Sequence, residues 1–321
     1  MTTVTKNVKV SGNGLHSGLP VNMVIKPSKK RGIFFKRVDI PNSELIPATF
    51  DNVRETMFRS TQIGDPHGDY VRTIEHLMAT LFILGIDSAI IEIDAPEVPI
   101  LDGSAFEWYK ILEKVVSDKT QMKKIIVKKT IVAERKDLMK QMPLFKRIKV
   151  AILNYTLGRH GDSYMRLSPY DKGLQLDCII DYNNKAIGTE YYSCILDGSK
   201  ASAKEFVDSI AKSRSFGVYS EWNKLKKHGM ALGSNMHNLI VLNERQDAAV
   251  NKLYYPDEFV RHKVIDAIGD MFTSGGIIYG RLESYKGTHE LNNFILRKLF
   301  SDKSNYEIIE PKGEKNEKNN D

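Results

Sequence analysis

The sequence predicts an α+β chain of two similar two-layer domains, each a sheet carrying helices. Three observations predict it. The 321 residues suit two ordinary domains, and a hydrophobic fraction of 41% can fill a core in each. A polar stretch, Ser117 to Lys123, divides the chain. Each half opens with short alternating runs and closes with helical spacing. The expected boundaries are a first domain over 1–122, a second over 123–305 and a tail over 306–321, whose charged, Asn-rich end from Lys312 is expected to be disordered. No sequence repeat relates the halves.

In the first half, Val8 and Val10 alternate with polar neighbours, Gly12-Asn13-Gly14 is a turn, and Val21, Met23 and Ile25 form a second alternating run. Ile33-Phe34-Phe35 with Val38 is another strand, as is Val53 to Thr61, bearing Met57 and Phe58. Thr73 to Leu84 is the clearest helix. It is apolar on more than one face and so expected to be buried, with Thr73 as N-cap, His76 at the third helical position and Gly85 as the stop. Ala89 to Ile93 is a strand, Ala95 to Ile100 a stiff loop, and Ala105 to Val116 an amphipathic helix whose Trp108 reads as core.

In the second half, Ile125 to Val127 and Thr130 to Val132 are strands. The pattern from Glu134 to Tyr170 is ambiguous, with Ile148 to Leu153 strand-like and Leu157 to Asp162 a loop. Leu174, Leu176, Cys178 and Ile180 alternate on a clear strand. Ala201 to Lys212 is a helix, a lysine-rich helix follows around Trp222 and Leu225, and Leu239 to Leu242 is a strand. Glu258 to Asp270 is a helix with one buried stripe of Phe259, Val260, Val264, Ile265 and Ile268. Gly275-Gly276 leads into a strand over Ile277 to Leu282, and Leu291 to Phe300 is the last helix.

Composition excludes several classes. Two cysteines, Cys178 and Cys194, make neither a disulfide framework nor a Cys-based zinc site, and they fit a reducing compartment. Met1 to Val10 is polar and basic with no apolar signal core, and the apolar run Leu77 to Ile86 is too short to span a bilayer. A soluble cytoplasmic protein without stable membrane insertion is therefore expected. The net charge of +7 suits an anionic partner. No arginine-rich stripe, zinc knuckle or aromatic-interleaved basic motif is present, so that partner is not expected to be nucleic acid.

Chemistry enters with the helix over Glu258 to Asp270. His262 and Asp266 are four apart and so lie one turn apart on one face, with Asp270 a turn further on and Lys263 beside them. Alone, this is an ordinary His/Asp pair on a solvated face. The helix from Thr73 changes the balance: Glu75 and His76 in the first turn of a buried helix are costly to desolvate unless paired or metal-bound. His76 from one half, with His262 and Asp266 from the other, can close a three-ligand zinc site at the domain interface, its fourth position open as in catalytic zinc. Glu75 directly precedes its histidine, unlike the His-Glu-x-x-His pattern, and can face that position from the side.

Four stretches carry a specific resemblance: Thr73 to Ala79 (TIEHLMA), Ala95 to Ser104 (APEVPILDGS), Asp257 to Lys263 with Asp266 to Asp270 (DEFVRHK, DAIGD), and Tyr285 to Asn293 (YKGTHELNN). They resemble the UDP-3-O-acyl-N-acetylglucosamine deacetylase family, bacterial zinc amidases of lipid A synthesis. Gly14 to Gly18 and Ser213 to Gly217 match less closely but in order, so the resemblance runs from about residue 5 to 305. It implies domains packed helix to helix with the active site at their interface, and Zn2+ on His76, His262 and Asp266. It further implies Glu75 as general base, His289 as the protonated acid or electrostatic stabiliser, Asp270 holding that ring, and Lys263 near the attacking water and the developing charge. Ser215 stands where the family usually has threonine: the hydroxyl for an oxyanion remains, and the methyl that fixes its rotamer is lost.

The resemblance also implies a strand-helix-strand insert, about 216–242, lining an apolar passage for the acyl chain. Its candidates are Phe216, Val218, Trp222, Leu225, Met230 and Leu232, with Lys224, Lys226 and Lys227 facing water. His16 and Lys286 are candidates for the substrate diphosphate, or equally a turn histidine and a loop lysine. His67, His160, His228 and His237 read as surface residues. The segment 134–170 is longer than the family's and is expected to form an extended hairpin or loop. The implied reaction is N-deacetylation of a UDP-linked acylated amino sugar by a monomer. The alternatives are a zinc amidase acting on another acylated sugar, and a basic binding module that keeps the fold. The module should have lost the base or a ligand, whereas Glu75, His76, His262, Asp266 and His289 are all present.

Overall fold

The structure, a computed structural model, describes residues 1–55, 60–141, 144, 147, 162–227 and 229–311. The first half contains β1 (Val8–Asn13), β2 (Pro20–Pro27), β3 (Gly32–Arg37), β4 (Ile46–Pro47), β5 (Val53–Glu55), β6 (Gln62–Gly64), β7 (Tyr70–Arg72), α1 (Glu75–Leu84), β8 (Ser88–Ile93) and α2 (Ala105–Leu112). Its main sheet has the order β1-β2-β8-β3-β4, and β5, β6 and β7 form a small sheet of their own. β3 and β8 are parallel, the other pairs of the main sheet antiparallel. Alternation does its work in β2, where Val21, Met23 and Ile25 point inward and Asn22 out.

The second half contains β9 (Lys124–Val127), β10 (Ile131–Glu134), α3 (Arg135–Gln141), β11 (Tyr164–Pro169), β12 (Leu174–Asp181), β13 (Thr189–Leu196) and α4 (Lys200–Ser209). Then come β14 (Phe216–Val218), α5 (Tyr219–Lys227), β15 (Ile240–Leu242), α6 (Glu258–Phe272), β16 (Ile277–Tyr285), α7 (His289–Phe300) and β17 (Tyr306–Ile309). The sheet runs β10-β11-β16-β12-β13, with β9 joining β16 to β17. Here too β12 and β16 are parallel and have a buried helix, α6, between them in the chain, as α1 lies between β3 and β8, and β9 and β16 are parallel as well. This is an α+β fold of two similar domains, and α1 packs on α6. Among the described residues no helix is long and apolar enough to cross a membrane.

Four expectations need correction. Thr73 is not the cap of α1: its φ is +60°, its hydroxyl donates to Glu97 Oε1 at 2.9 Å, and the helix begins at Glu75, so His76 is its second residue. The chain does not turn into a tail at 306, because β17 pairs antiparallel with β9 from Tyr306↔Val127 to Ile309↔Lys124. The segment after β10 opens as a helix, α3, rather than as a plain hairpin or loop. The strand expected over Val53 to Thr61 is β5 over Val53–Glu55, and Thr61 lies outside any strand. Met57 and Phe58, the strand-like run 148–153, nearly all of the loop 157–162, His160, His228 and 312–321 lie outside the described residues.

Candidate active site

α1 is buried along its length, so its two polar residues in the first turn must find partners. α6 supplies them. Gly269 on α6 has no room for a side chain, since a Cβ there would lie 1.9 Å from the Glu75 carbonyl oxygen. The helices thus meet backbone to backbone, and His76 comes opposite His262 and Asp266. His76 Nε2 is 3.2 Å from His262 Nε2 and 3.4 Å from Asp266 Oδ1, and His262 Nε2 is 3.6 Å from the same oxygen. A tetrahedral ion about 2.0–2.2 Å from each of three donors spaces them roughly 3.3–3.6 Å apart. The charges also suit a cation. Burial holds the His262 imidazole well below its ordinary pKa, leaving it neutral with a lone pair. Burial alone would raise Asp266, but His262, Lys263 and His289 overcome it and hold the carboxyl well below its usual range. Lys263 Nζ lies 2.8 Å from Asp266 Oδ2.

Beside this triad sit a further histidine and a carboxylate, His289 and Glu75. His289 is the first residue of α7, where the Thr288 hydroxyl caps the helix by accepting from Leu291 N. Its Nδ1 is 2.7 Å from Asp270 Oδ2, and its Nε2 is 4.0 Å from Glu75 Oε1 and 3.8 Å from Asp266 Oδ2. Burial opposes a charge on this ring, but the carboxylates of Asp270, Asp266 and Glu75 outweigh it and raise the pKa to about 10. Burial raises Glu75 to about 7, against the pull of His289. Thr61 joins the two: its backbone N–H donates to Glu75 Oε2 at 3.1 Å and its hydroxyl to Asp270 Oδ1 at 2.5 Å. Asn292 Nδ2 donates to Asp270 Oδ2 at 2.7 Å.

A cleft opens over the triad, with Leu15, Pro99, Ile100, Trp108 and Ser215 among its walls. Trp108 is core, as expected, and a wall of the site as well. The loop at Leu15 is held by Glu97, which accepts from His16 N at 2.9 Å and Ser17 N at 2.8 Å. A family model described as UDP-3-O-acyl N-acetylglycosamine deacetylase matches residues 1–301. The chain belongs to that family. It is 36% identical to the UDP-3-O-acyl-N-acetylglucosamine deacetylase of Shewanella pealeana over 308 residues, covering 96% of this chain and 92% of the relative. The proteins of that name from Shewanella sediminis and Histophilus somni are also 36% identical, each over 310 residues, with the same coverage.

Of the deacetylase site residues expected from the sequence, nine fall together: Glu75, His76, Ser215, Phe216, His262, Lys263, Asp266, Asp270 and His289. Phe216 packs edge-on to His262, with ring centroids 6.0 Å apart. Val218, Trp222, Leu225, Met230 and Leu232 are not among the residues lining the cleft. Residues 216–242 do run strand, helix, strand, with β14 and β15 parallel. Val218 is buried, Leu232 is 47% exposed, and the Trp222 indole donates to Ser234 Oγ with Lys226 over its ring. Lys286 pairs with Asp181 at 2.8 Å, and His16 is buried in its loop. His67 and His237 are exposed. Sequence reasoning missed Thr61, Asn292 and Glu97. Asn292 was within reach, being three residues beyond His289 on one helix face.

Proposed function

We propose that the chain hydrolyses the N-acetyl group of UDP-3-O-acyl-N-acetylglucosamine, giving UDP-3-O-acyl-glucosamine and acetate, in the cytoplasmic synthesis of lipid A. The observation that carries this reading is the donor triad, His76, His262 and Asp266, spaced 3.2 to 3.6 Å apart in a chain that belongs to the deacetylase family. Two imidazoles and a carboxylate with open space beyond them suit Zn2+, which when bound would supply Lewis acidity to a poor electrophile such as an acetamide.

The chain's own groups do the rest. Glu75, its pKa near 7, takes a proton from the attacking water. His289 is held as a cation by Asp270 and stabilises negative charge as it builds on the acyl carbon's oxygens. As the C–N bond breaks, His289 Nε2 gives its proton to the departing amine, which could not leave as an anion. Ser215 presents a hydroxyl to the developing oxyanion from the cleft wall. Lys263 balances Asp266 and adds positive charge beside it. The insert over 216–242 receives the acyl chain, and the loop bearing His16, with Lys286, meets the diphosphate. The test is deacetylation of the UDP-sugar by the purified protein with and without a chelator. Acetate release that stops with chelation and returns with zinc supports the reading, and release indifferent to the chelator contradicts it.

A further inference from the structure

Ser215 reaches the cleft from a stretch with no regular structure before β14, so something else must fix it. Its neighbour Arg214 forms an ion pair with Glu258 in which both are nearly sealed from water, at 5% and 0% exposure. Arg214 Nε donates to Glu258 Oε1 at 3.0 Å and Nη2 to Oε2 at 3.4 Å. The same carboxylate accepts the backbone N–H of Arg214 at 3.1 Å and of Tyr254 at 2.6 Å. The guanidinium also donates to the Lys252 carbonyl at 2.7 Å and lies over the Tyr254 ring. Glu258 therefore grips both the main chain and the side chain of the residue before Ser215. On the other side, the Ser215 carbonyl accepts from Ile240 N at 2.8 Å, and Phe216 packs edge-on to Phe259.

Glu258 is also the first residue of α6, one turn before His262. A buried ion pair is a weak source of net stability, because desolvating both charges offsets their attraction. What this one does is tie the Ser215 segment to the helix that carries two of the three triad residues. We propose that Glu258, acting through Arg214, is a positioning residue that sets the Ser215 hydroxyl against the scissile carbonyl. The inference rests on the reading of Ser215 as the oxyanion donor.

A double-mutant cycle on the zinc-loaded enzyme tests it, with kcat, KM, bound zinc and thermal midpoint measured for each variant. Ser215→Ala should lower kcat by about a hundredfold, the scale of one oxyanion donor. Glu258→Gln should lower kcat by about tenfold or more with KM nearly unchanged, because misplacement by a fraction of an ångström is felt mainly in the chemical step. The double variant should be no slower than Ser215→Ala within about twofold, since both losses act through one hydroxyl. Bound zinc should not change. Losses that multiply in the double variant overturn the proposal and leave the role of Ser215 standing. A neutral Ser215→Ala overturns both. An unchanged kcat in Glu258→Gln, or its loss of zinc, overturns the proposal alone, the second by showing an effect through His262. If Glu258→Gln does not fold, Arg214→Lys, which keeps the charge without the two-pronged contact, goes through the same cycle, and each outcome carries the same meaning.

Discussion

The α1–α6 contact and the insert over 216–242 meet at Phe216, and they are held in different ways. Across the contact the functional side chains are buried and partnered from both halves: Thr61 of the first half holds Asp270 of the second, and His289 faces Glu75. The insert rests on a parallel pair of three-residue strands, and Tyr219 and Leu232 stand 44% and 47% exposed. A site so constrained suits chemistry, where small displacements are costly. A lightly held insert suits substrate fit, where replacements can be absorbed. The two should therefore respond separately: changes at the contact alter rate for every substrate, and changes in the insert alter which substrate is preferred.

The largest effect should come from the base. Glu75→Ala is expected to keep its metal and lose at least about a hundredfold in kcat for all acyl lengths. A variant nearly as fast as the parent would mean another group takes the proton. Next is Gly269→Ala. In an unobstructed helix interior this change would stabilise by about 1 kcal/mol. Here the new Cβ meets the Glu75 carbonyl, and overpacking costs about 1–3 kcal/mol. The thermal midpoint should fall by several degrees, and a raised midpoint would mean that the helices do not meet backbone to backbone.

The pH profile should separate the proposed base from the proposed acid. A base at Glu75 works ionised, so kcat/KM should rise as pH climbs through its pKa, near 7 from burial. An acid at His289 works protonated, so the rate should fall as pH climbs through its pKa, near 10 in the field of its carboxylates. A cation at the triad moves both limbs down. The descending limb should vanish in His289→Ala, and its persistence there would assign it to another group. The smallest effect belongs to the insert. If Trp222 limits the passage, Trp222→Ala moves the optimal acyl length upward while kcat on short chains hardly changes. Each buried methylene contributes about 0.8 kcal/mol, or roughly fourfold in binding, so kcat/KM across a series of chain lengths reads the shift. A flat series for both proteins would remove the passage, and an equal loss at every length would break the division between chemistry and fit.

Much of this was legible in the chain. α1 is a continuous apolar run and α6 carries an apolar stripe, and their reactive groups lie within short stretches, so Glu75-His76 and His262-x-x-x-Asp266 stand out before any fold is known. The rest depended on contacts between distant segments. β13 was missed because Glu190, Tyr191, Tyr192 and Ser193 give it a mostly polar face. Thr61 was missed because a hydroxyl in a loop has no spacing to betray it. The left-handed Thr73 depends on Glu97, and the pairing of Arg214 with Glu258 spans 44 residues, beyond what periodicity can report. In the insert, helical spacing puts Trp222 and Leu225 on one face, but where that face points depends on partners such as Ser234, which spacing does not report.

In the proposed site one zinc ion joins the two halves through His76, His262 and Asp266. Metal analysis of the purified wild type and of the His262→Ala, Asp266→Ala double variant tests it most directly. The expected result is about one zinc per wild-type chain and essentially none in the double variant, since one remaining ligand cannot hold the ion. Stoichiometric zinc in the double variant would mean that the ion is held elsewhere.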